Sequence, residues 1–221
     1  MSFRILYFLL IVICFSSCRK TIKAKEGAID IYSNIYFNAS KGLDEVQSYH
    51  ISRMNFRNDT IIELIPDLDF PQYNHSAYLI IDSSCYDLGI FPEAFSTNFK
   101  KLKYPISVFD KETGAIFTGK NLPNYEYKRI IKDTVLFGKH YLRFEINSPE
   151  VLTRYYVHPT DTILPYTIYS EIDRDYKGRI ERVDSYDKIN DIFVTLQMVL
   201  RNNLDAEAEE IFEFNGFVGG K

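Results

Sequence analysis

The sequence predicts a mainly β domain built on one antiparallel sheet, with one or two helices beside it. Two observations lead to this fold class. Segments with apolar residues at every second position recur along the chain, which is the period of a strand with one buried face. Turn-forming residues separate these segments at short intervals, without a regular alternation of strands and helices. A meandering antiparallel sheet is therefore favoured over a parallel α/β fold.

The first element of the domain is predicted to be a short amphipathic helix within residues 27–39. Its apolar residues recur at spacings of three and four, the helical period. They are Ile29, Tyr32, Ile35, Tyr36 and Ala39.

The strands are expected to follow this helix, interrupted by a loop-like stretch at 92–104. The segments with strand texture are VQSYHISRMNF, TIIELI, AYLIID, CYDLGI, YEYKRIIK, YLRFEI, VLTRYYVH, TILPYTIYSEI and GRIERVDSYDKI. Turns are predicted at DTVLFGK and DRDYKG, where Gly and Asp are concentrated. IFVTLQMVL fits either a helix or an edge strand, with the strand preferred, and IFEFNGFVGG is expected to be extended.

The N-terminal segment has the pattern of an export signal. Arg4 precedes an apolar run over 5–15 that is too short to span a bilayer, which needs roughly 20 such residues. The following FSSC resembles the lipobox of bacterial lipoproteins, and this resemblance implies cleavage before Cys18 and acylation of its thiol and new amine. The chain then divides into a signal peptide (1–17), a lipidated tether (18–26) and a single β domain (27–221).

Cysteine content agrees with this division. The chain has three cysteines; Cys14 would leave with the signal and Cys18 would carry lipid, so Cys85 would be the one free thiol. No intramolecular disulfide is then possible, and the domain depends on its hydrophobic core. Cys85 lies among alternating apolar residues and is expected to be buried.

Charge disfavours a nucleic-acid partner. The chain has 26 Lys and Arg against 30 Asp and Glu, so it has no cationic excess to neutralise phosphates.

The residues after Cys18 bear on the location of the protein, and Arg19 and Lys20 follow it directly. Lipoproteins of Bacteroidetes-type bacteria that reach the cell surface carry an acidic run there, and an Asp can retain enterobacterial lipoproteins at the inner membrane. The departure from both patterns implies a lipid-anchored protein on the periplasmic face of the outer membrane.

Catalytic and metal-binding motifs are not apparent. No phosphate loop, HExxH, GxSxG or CxxC occurs, so we expect no catalytic residues, no metal and no cofactor. His158 is interpreted as a surface turn residue rather than a general base. A calcium site at Asp173, Asp175 and Asp184 is disfavoured because their spacing does not match a calcium loop.

Several segments in the second half of the chain resemble the LolA/LolB-like superfamily. They are DTVLFGKHYLRFEI, RYYVHPTDTILPYTIYSEID, GRIERVDSYDKI and IFEFNGFVGG, preceded by the lipoprotein signal, the first helix and a meander. The resemblance implies a strongly curved antiparallel sheet, an incomplete barrel, with helices over a hydrophobic cavity that receives acyl chains. A recognisable exposed Leu-bearing loop, as in LolB, is missing.

The predicted function is a non-enzymatic carrier or acceptor of lipid or lipoprotein acyl chains. With 17 Tyr and 17 Phe, the chain has the aromatic content for a cavity wall, although sheet packing explains this content equally well. Strand alternation nominates inward-facing residues: Leu142, Phe144, Ile146, Tyr155 and Val157. The alternatives are an interaction lipoprotein that docks a partner at a sheet edge, and an envelope hydrolase.

Overall fold

The computed structural model describes residues 21–216, which form a large, open antiparallel sheet of 11 strands. The predicted fold class is confirmed. In chain order the strands of this sheet are β2 (Glu26–Phe37), β3 (Val46–Arg57), β4 (Thr60–Pro66), β5 (Asn74–Ile81), β6 (Ser84–Ile90), β7 (Ile106–Ser107), β8 (Arg129–Leu136), β9 (Lys139–Asn147), β10 (Val151–Pro159), β12 (Gly178–Asp187) and β13 (Ile192–Arg201). Their order across the sheet is β7-β6-β5-β4-β3-β2-β13-β12-β10-β9-β8.

Two short strands lie outside this sheet. They are β1 (Ile22–Lys23) and β11 (Thr162–Ile163), which pair in parallel. Because β1 falls in the segment predicted to be a tether, part of that segment is bound to the domain.

The helical elements are short. The α-helices are α1 (Ser170–Tyr176) and α2 (Ala206–Phe214). The 3-10 turns are Ala39–Lys41, Glu93–Ser96, Phe99–Lys101, Val108–Asp110 and Tyr125–Tyr127. Within residues 21–216 no helix has the length and apolar character needed to cross a membrane.

The sheet curves around its main core. One connected cluster of buried residues lies on a single face and includes residues from β6 near one edge to β9 near the other, among them Cys85, Met54, Met198 and Phe144. In a flat sheet these two strands would be about 40 Å apart, too far to share one core. We call this face the inner face.

A crossing segment, residues 108–128, joins the edge strands β7 and β8 over the inner face. Its Lys111 ammonium pairs with the Glu63 carboxylate of β4 at 2.8 Å, and both side chains are almost completely buried. The Glu63 carboxylate also accepts hydrogen bonds from the Ser52 hydroxyl and the Ala115 amide. The Leu122 amide donates to Glu171 of α1. Two buried carboxylates therefore hold the crossing segment over the core.

The outer face carries a second, smaller core under α2. Ala208, Ile211 and Phe212 of this helix are buried against β4, β5 and β6. At the start of α2, the Asp205 carboxylate accepts hydrogen bonds from the Asn55 amide and the Arg201 guanidinium, at 3.0 and 2.8 Å. The C-terminal helix is thus fixed to the sheet by both apolar and charged contacts.

The prediction of a helix within residues 27–39 was wrong, because Glu26–Phe37 is the central strand β2. It pairs with β3 on one side and β13 on the other. Ala28, Ile29, Asp30 and Ile31 are all buried, so both faces of the strand are covered at this point and burial does not alternate along it.

Three further segments differ from the prediction. Only Thr162–Ile163 of TILPYTIYSEI is a strand, and most of DRDYKG lies in α1 rather than in a hairpin turn. IFEFNGFVGG was expected to be extended, but Ala206–Phe214 is helical, and residues 217–220 lie outside the described part of the chain. By contrast, the preferred strand for IFVTLQMVL is confirmed as β13.

Candidate functional site

The inner face changes from a closed core to a partly open surface along the strands. Ile31, Met198 and Val157 are buried at one end. Toward the other end the inward residues of the same strands become half-buried. We call this half-buried area the apolar floor, and it consists of Ile35, Thr153, Val183, Ser185, Val194 and Leu196.

Strand register aligns the apolar floor in two rows across the sheet. One row runs Ile35, Val194, Ser185, Thr153 and Ile146, from β2 to β9. The adjacent row, again starting on β2, is Ser33, Leu196, Val183, Tyr155 and Phe144. No member of these rows is charged, so five adjacent strands provide an uncharged surface.

Hydroxyl groups are the main polar groups of the apolar floor. Thr153 Oγ1 and Ser185 Oγ lie 3.1 Å apart and share a hydrogen bond across β10 and β12. This pairing reduces the cost of burying either hydroxyl under an apolar ligand. Phe37, 37% exposed, faces inward on β2 at the outer end of the apolar floor, and it pairs with Ile192 of β13.

The five predicted cavity residues lie on the inner face. Phe144, Tyr155 and Val157 belong to the main core, and Leu142 and Ile146 pack against it while half-buried. The Phe144 ring stacks on Tyr155 at 4.7 Å and on Tyr176 of α1 at 5.3 Å. That these residues line a ligand cavity remains a prediction, and at Phe144 aromatic rings already occupy the adjacent space.

Cys85 is buried in the core, and His158 contacts the backbone of a neighbouring strand. Cys85 is 1% exposed, and burial raises the pKa of its thiol to about 11, so the group is protonated at neutral pH. His158 Nδ1 lies 3.1 Å from the His140 carbonyl oxygen, and its ring packs near Tyr141. Within residues 21–216 no group of three or more His, Cys, Asp or Glu is arranged to hold a metal ion.

The outer face carries a polar network that the sequence analysis did not identify. Glu181, 2% exposed, accepts hydrogen bonds from Arg179, Lys139 and Tyr141 at 2.7, 3.1 and 3.0 Å. Burial opposes ionisation of Glu181, but the bonds from Arg179 and Lys139 outweigh it and lower its pKa. The one signal in the sequence was the alternation of charges in RIERVD on β12.

A separate pocket of about 830 Å³ lies where β11, α1 and the start of β12 meet. Arg179 and Asp173 line it, together with several threonines, and none of the five predicted cavity residues does. It is therefore distinct from the apolar floor. The lipidation site Cys18 lies outside the described residues and remains a prediction.

Comparisons with known proteins assign neither a family nor a function. No protein-family model matches the chain, and no curated protein matches it. A solved outer membrane lipoprotein-sorting protein domain from Vibrio parahaemolyticus is 14% identical with a TM-score of 0.29, covering 86% of this chain and 92% of its own. A DUF1329 family protein from Desulfovibrio piger is 13% identical with a TM-score of 0.29, covering 89% of this chain and 91% of its own. At these scores neither neighbour assigns a function.

Proposed function

We propose that this chain is an envelope lipoprotein, anchored through Cys18, that holds an acyl chain of a lipid or lipoprotein on the apolar floor without catalysing a reaction. The observation that carries the proposal is the uncharged, half-buried surface on the inner face of a curved sheet. A domain of this size has enough sheet to bury these side chains, yet it leaves them partly open to solvent.

An acyl chain suits this surface chemically. Each methylene group that leaves water contributes about 0.8 kcal/mol, so a ligand of several methylene groups gains substantial affinity from contact alone. Val183, Val194 and Leu196 supply aliphatic contact, and the Thr153 and Ser185 hydroxyls beneath the chain are hydrogen-bonded to each other. Directional polar groups are not needed for such a ligand.

Location supports the same proposal. A protein anchored through acylated Cys18 on the periplasmic face of the outer membrane would keep the apolar floor close to lipids and lipoproteins. Two or more acyl chains on one cysteine anchor a protein stably, whereas one chain binds reversibly.

The test is binding of a fluorescent fatty acid to the purified full chain, together with native mass spectrometry for lipids that co-purify. Val194→Gln places an amide on the apolar floor and should weaken probe binding about tenfold or more, as expected for losing one to two kcal/mol of apolar contact. Val199→Gln is the matched control, because Val199 is on the same strand but faces outward. Equal effects of both variants, or no bound lipid and no probe binding, would reject the proposal.

One observation favours docking of a partner at a sheet edge as the second candidate. Within the described residues β8 pairs only with β9, and its Ile130 and Val135 are 72% and 64% exposed. An exposed edge can receive an added strand. However, the register shift between Ile131 and Thr134 interrupts this edge, and such bulges disfavour strand addition. A wild-type chain without lipid or probe binding would favour this candidate.

A further inference from the structure

The pocket beside α1, which we call the polar pocket, has features of a binding site separate from the apolar floor. Its volume of about 830 Å³ lies in the range of small-molecule sites, roughly 300 to 1,000 Å³. Thr21 lies on its wall, next to the paired strands β1 and β11. The Ile22 amide donates to the Asp161 carbonyl at 2.9 Å, so this wall is fixed to the domain.

Arg179 lines the pocket, and the protein holds its guanidinium in place. The side chain is 6% exposed, and its Nη2 donates to Glu181 at 2.7 Å. Nη1 is 3.4 Å from the Thr162 carbonyl oxygen. Nε is buried and has no hydrogen-bond partner. The Arg179 guanidinium therefore places a fixed positive charge at the pocket wall.

The polar pocket also contains an acceptor that lacks a partner. Asp173 Oδ1 is buried and makes no hydrogen bond. Burial raises the pKa of Asp173, and the Thr167 hydroxyl, the Ile180 amide and the Arg179 charge oppose that rise through their interactions with the carboxylate. A donor that carries a positive charge would satisfy this oxygen.

The charges around the pocket have both signs. Arg174 and Lys177 add two exposed cations beside Arg179, while Asp161 and Asp173 are the carboxylates. Such a set matches a ligand with an anionic and a cationic group better than a simple anion. Arginine in particular recognises phosphate, because its donors match phosphate oxygens.

We propose that the polar pocket binds a phosphate ester that also carries a primary amine, with the phosphate at Arg179 and Lys177 and the amine at Asp173. This chemistry occurs in an ethanolamine phospholipid headgroup and in free glycerophosphoethanolamine. The proposal is independent of acyl-chain binding on the apolar floor, because no residue of the apolar floor lines the polar pocket.

The experiment is isothermal titration calorimetry of the full chain in maltoside micelles with glycerophosphoethanolamine and, separately, with glycerophosphoglycerol, a phosphate diester of the same phosphate charge that lacks the amine. Wild type should bind the first ligand about tenfold more tightly, since a charged hydrogen bond contributes about 1.5 kcal/mol or more. Asp173→Asn should remove that preference without weakening binding of glycerophosphoglycerol. No saturable heat from either ligand, or equal affinity of wild type for both, would overturn the proposal.

Lys177→Asn tests the phosphate end without breaking the Arg179–Glu181 pair. Lys177 has a φ of 47°, a left-handed conformation that Asn tolerates, so the variant should fold. It should weaken both ligands by roughly tenfold. Lys101→Asn, an exposed cation outside the pocket, has the same charge change and should have no effect. Equal losses in the two lysine variants would overturn the assignment.

An experiment with vesicles distinguishes a phospholipid headgroup from the free ester as the source of the ligand. The full chain is reconstituted in phosphatidylcholine vesicles that contain a photoactivatable phosphatidylethanolamine. Cross-links at residues 160–179 that free glycerophosphoethanolamine displaces identify the lipid headgroup as the ligand. Their absence from a chain that binds the free ester identifies the soluble compound.

Discussion

Glu145 on β9 shows how one buried carboxylate contributes to stability in a pH-dependent way. It is 4% exposed and accepts hydrogen bonds from Arg129 and, at 3.0 Å, from Arg154. The bond from Arg129 lowers the pKa of Glu145 most, burial opposes it, and Arg154 lowers it further. Because the folded-state pKa is below the unfolded value of about 4.3, the stabilisation is present above that pH and is lost as pH falls through the folded-state pKa.

We therefore expect Glu145→Gln to lower the free energy of unfolding by about 2 kcal/mol at neutral pH. The difference from wild type should shrink in acid, where the wild-type carboxylate is also neutral. Urea unfolding at neutral and acidic pH measures both quantities. Glu150→Gln, an exposed carboxylate on the adjoining turn, is the control and should change little. A difference that persists in acid would indicate lost packing rather than lost charge.

Reaction with a thiol reagent tests the burial of Cys85 and the predicted lipidation of Cys18. Cys85 is buried with a raised pKa of about 11, so it should not react with Ellman's reagent in the native protein. In denaturant the mature chain should release one equivalent of thiol, because Cys18 is predicted to carry lipid. Reaction of the native chain would contradict the burial of Cys85.

Metabolic labelling with palmitate tests Cys18 itself. Wild type should take up label, and Cys18→Ala should take up none and remain as an unprocessed precursor, because the substitution removes the acyl acceptor. Cys85→Ala is the matched control and should label like wild type. Equal labelling of Cys18→Ala and wild type would contradict the lipoprotein assignment.

The attachment of the crossing segment depends on Gly114. Gly114 has a φ of +80°, and a Cβ atom there would lie 2.3 Å from the Glu63 carboxylate. Gly114→Ala should thus disturb the Glu63 contacts as well as strain the backbone, and we expect a loss of at least 3 kcal/mol in thermal or urea unfolding.

Gly138→Ala separates the effect of backbone strain from the effect of crowding at Glu63. Gly138 has a similar φ of +76° on the hairpin between β8 and β9, but its Cβ would meet no atom within 4 Å. Backbone strain alone should cost about 1 to 2 kcal/mol. If both variants lost the same stability, the crowding of Glu63 would not matter and the crossing segment would be less firmly held than its contacts indicate.

At the element scale, the sequence predicted strands whose two faces have different environments. β9 was predicted correctly because Leu142, Phe144 and Ile146 face the core and alternate with polar residues, and β3 was also predicted correctly. β2 failed because Ala28 and Asp30 are buried on the outer side while Ile29 and Ile31 are buried on the inner side. Ile29, Ile31, Ile35 and Phe37 do recur at every second position, but Tyr32, Tyr36 and Ala39 add a helical spacing to the same segment. Pairing with β3 and β13 determines the strand.

The helices were missed for a related reason. In α2 the buried residues Ala208, Ile211 and Phe212 do follow the helical spacing, but the segment is short and ends in an aromatic, glycine-rich stretch that suggested extended structure. In α1 the buried Glu171 is explained by its bond to Leu122 in a distant segment. Because the polar pocket forms around α1, it could not be predicted from the sequence.

At the scale of the whole molecule, one curved sheet provides both a closed core and an open surface. The predicted inward set of β9 and β10 does lie on the inner face, and alternation alone was sufficient for that orientation. Alternation carries no information on what lies above each side chain. Tyr176 of α1 covers Phe144, whereas Val194 remains half-buried, and this difference depends on where α1 and the crossing segment end.

The difference between the closed core and the apolar floor can be tested by enlarging one side chain in each. Phe144→Trp inserts a larger ring between Tyr155 and Tyr176 and should lower the free energy of unfolding by about 1 to 3 kcal/mol through overpacking. Val194→Trp enlarges a half-buried side chain on the apolar floor and should change stability by only about 0.5 kcal/mol.

The same two variants should differ in ligand binding. If an acyl chain binds on the apolar floor, Val194→Trp should displace the fluorescent fatty acid, while Phe144→Trp should leave the affinity for this probe unchanged at temperatures where the variant is folded. Thermal unfolding and probe titration on the same samples measure both effects. Displacement by Phe144→Trp but not by Val194→Trp would place the ligand over the aromatic stack instead, as the strand alternation of the sequence first predicted.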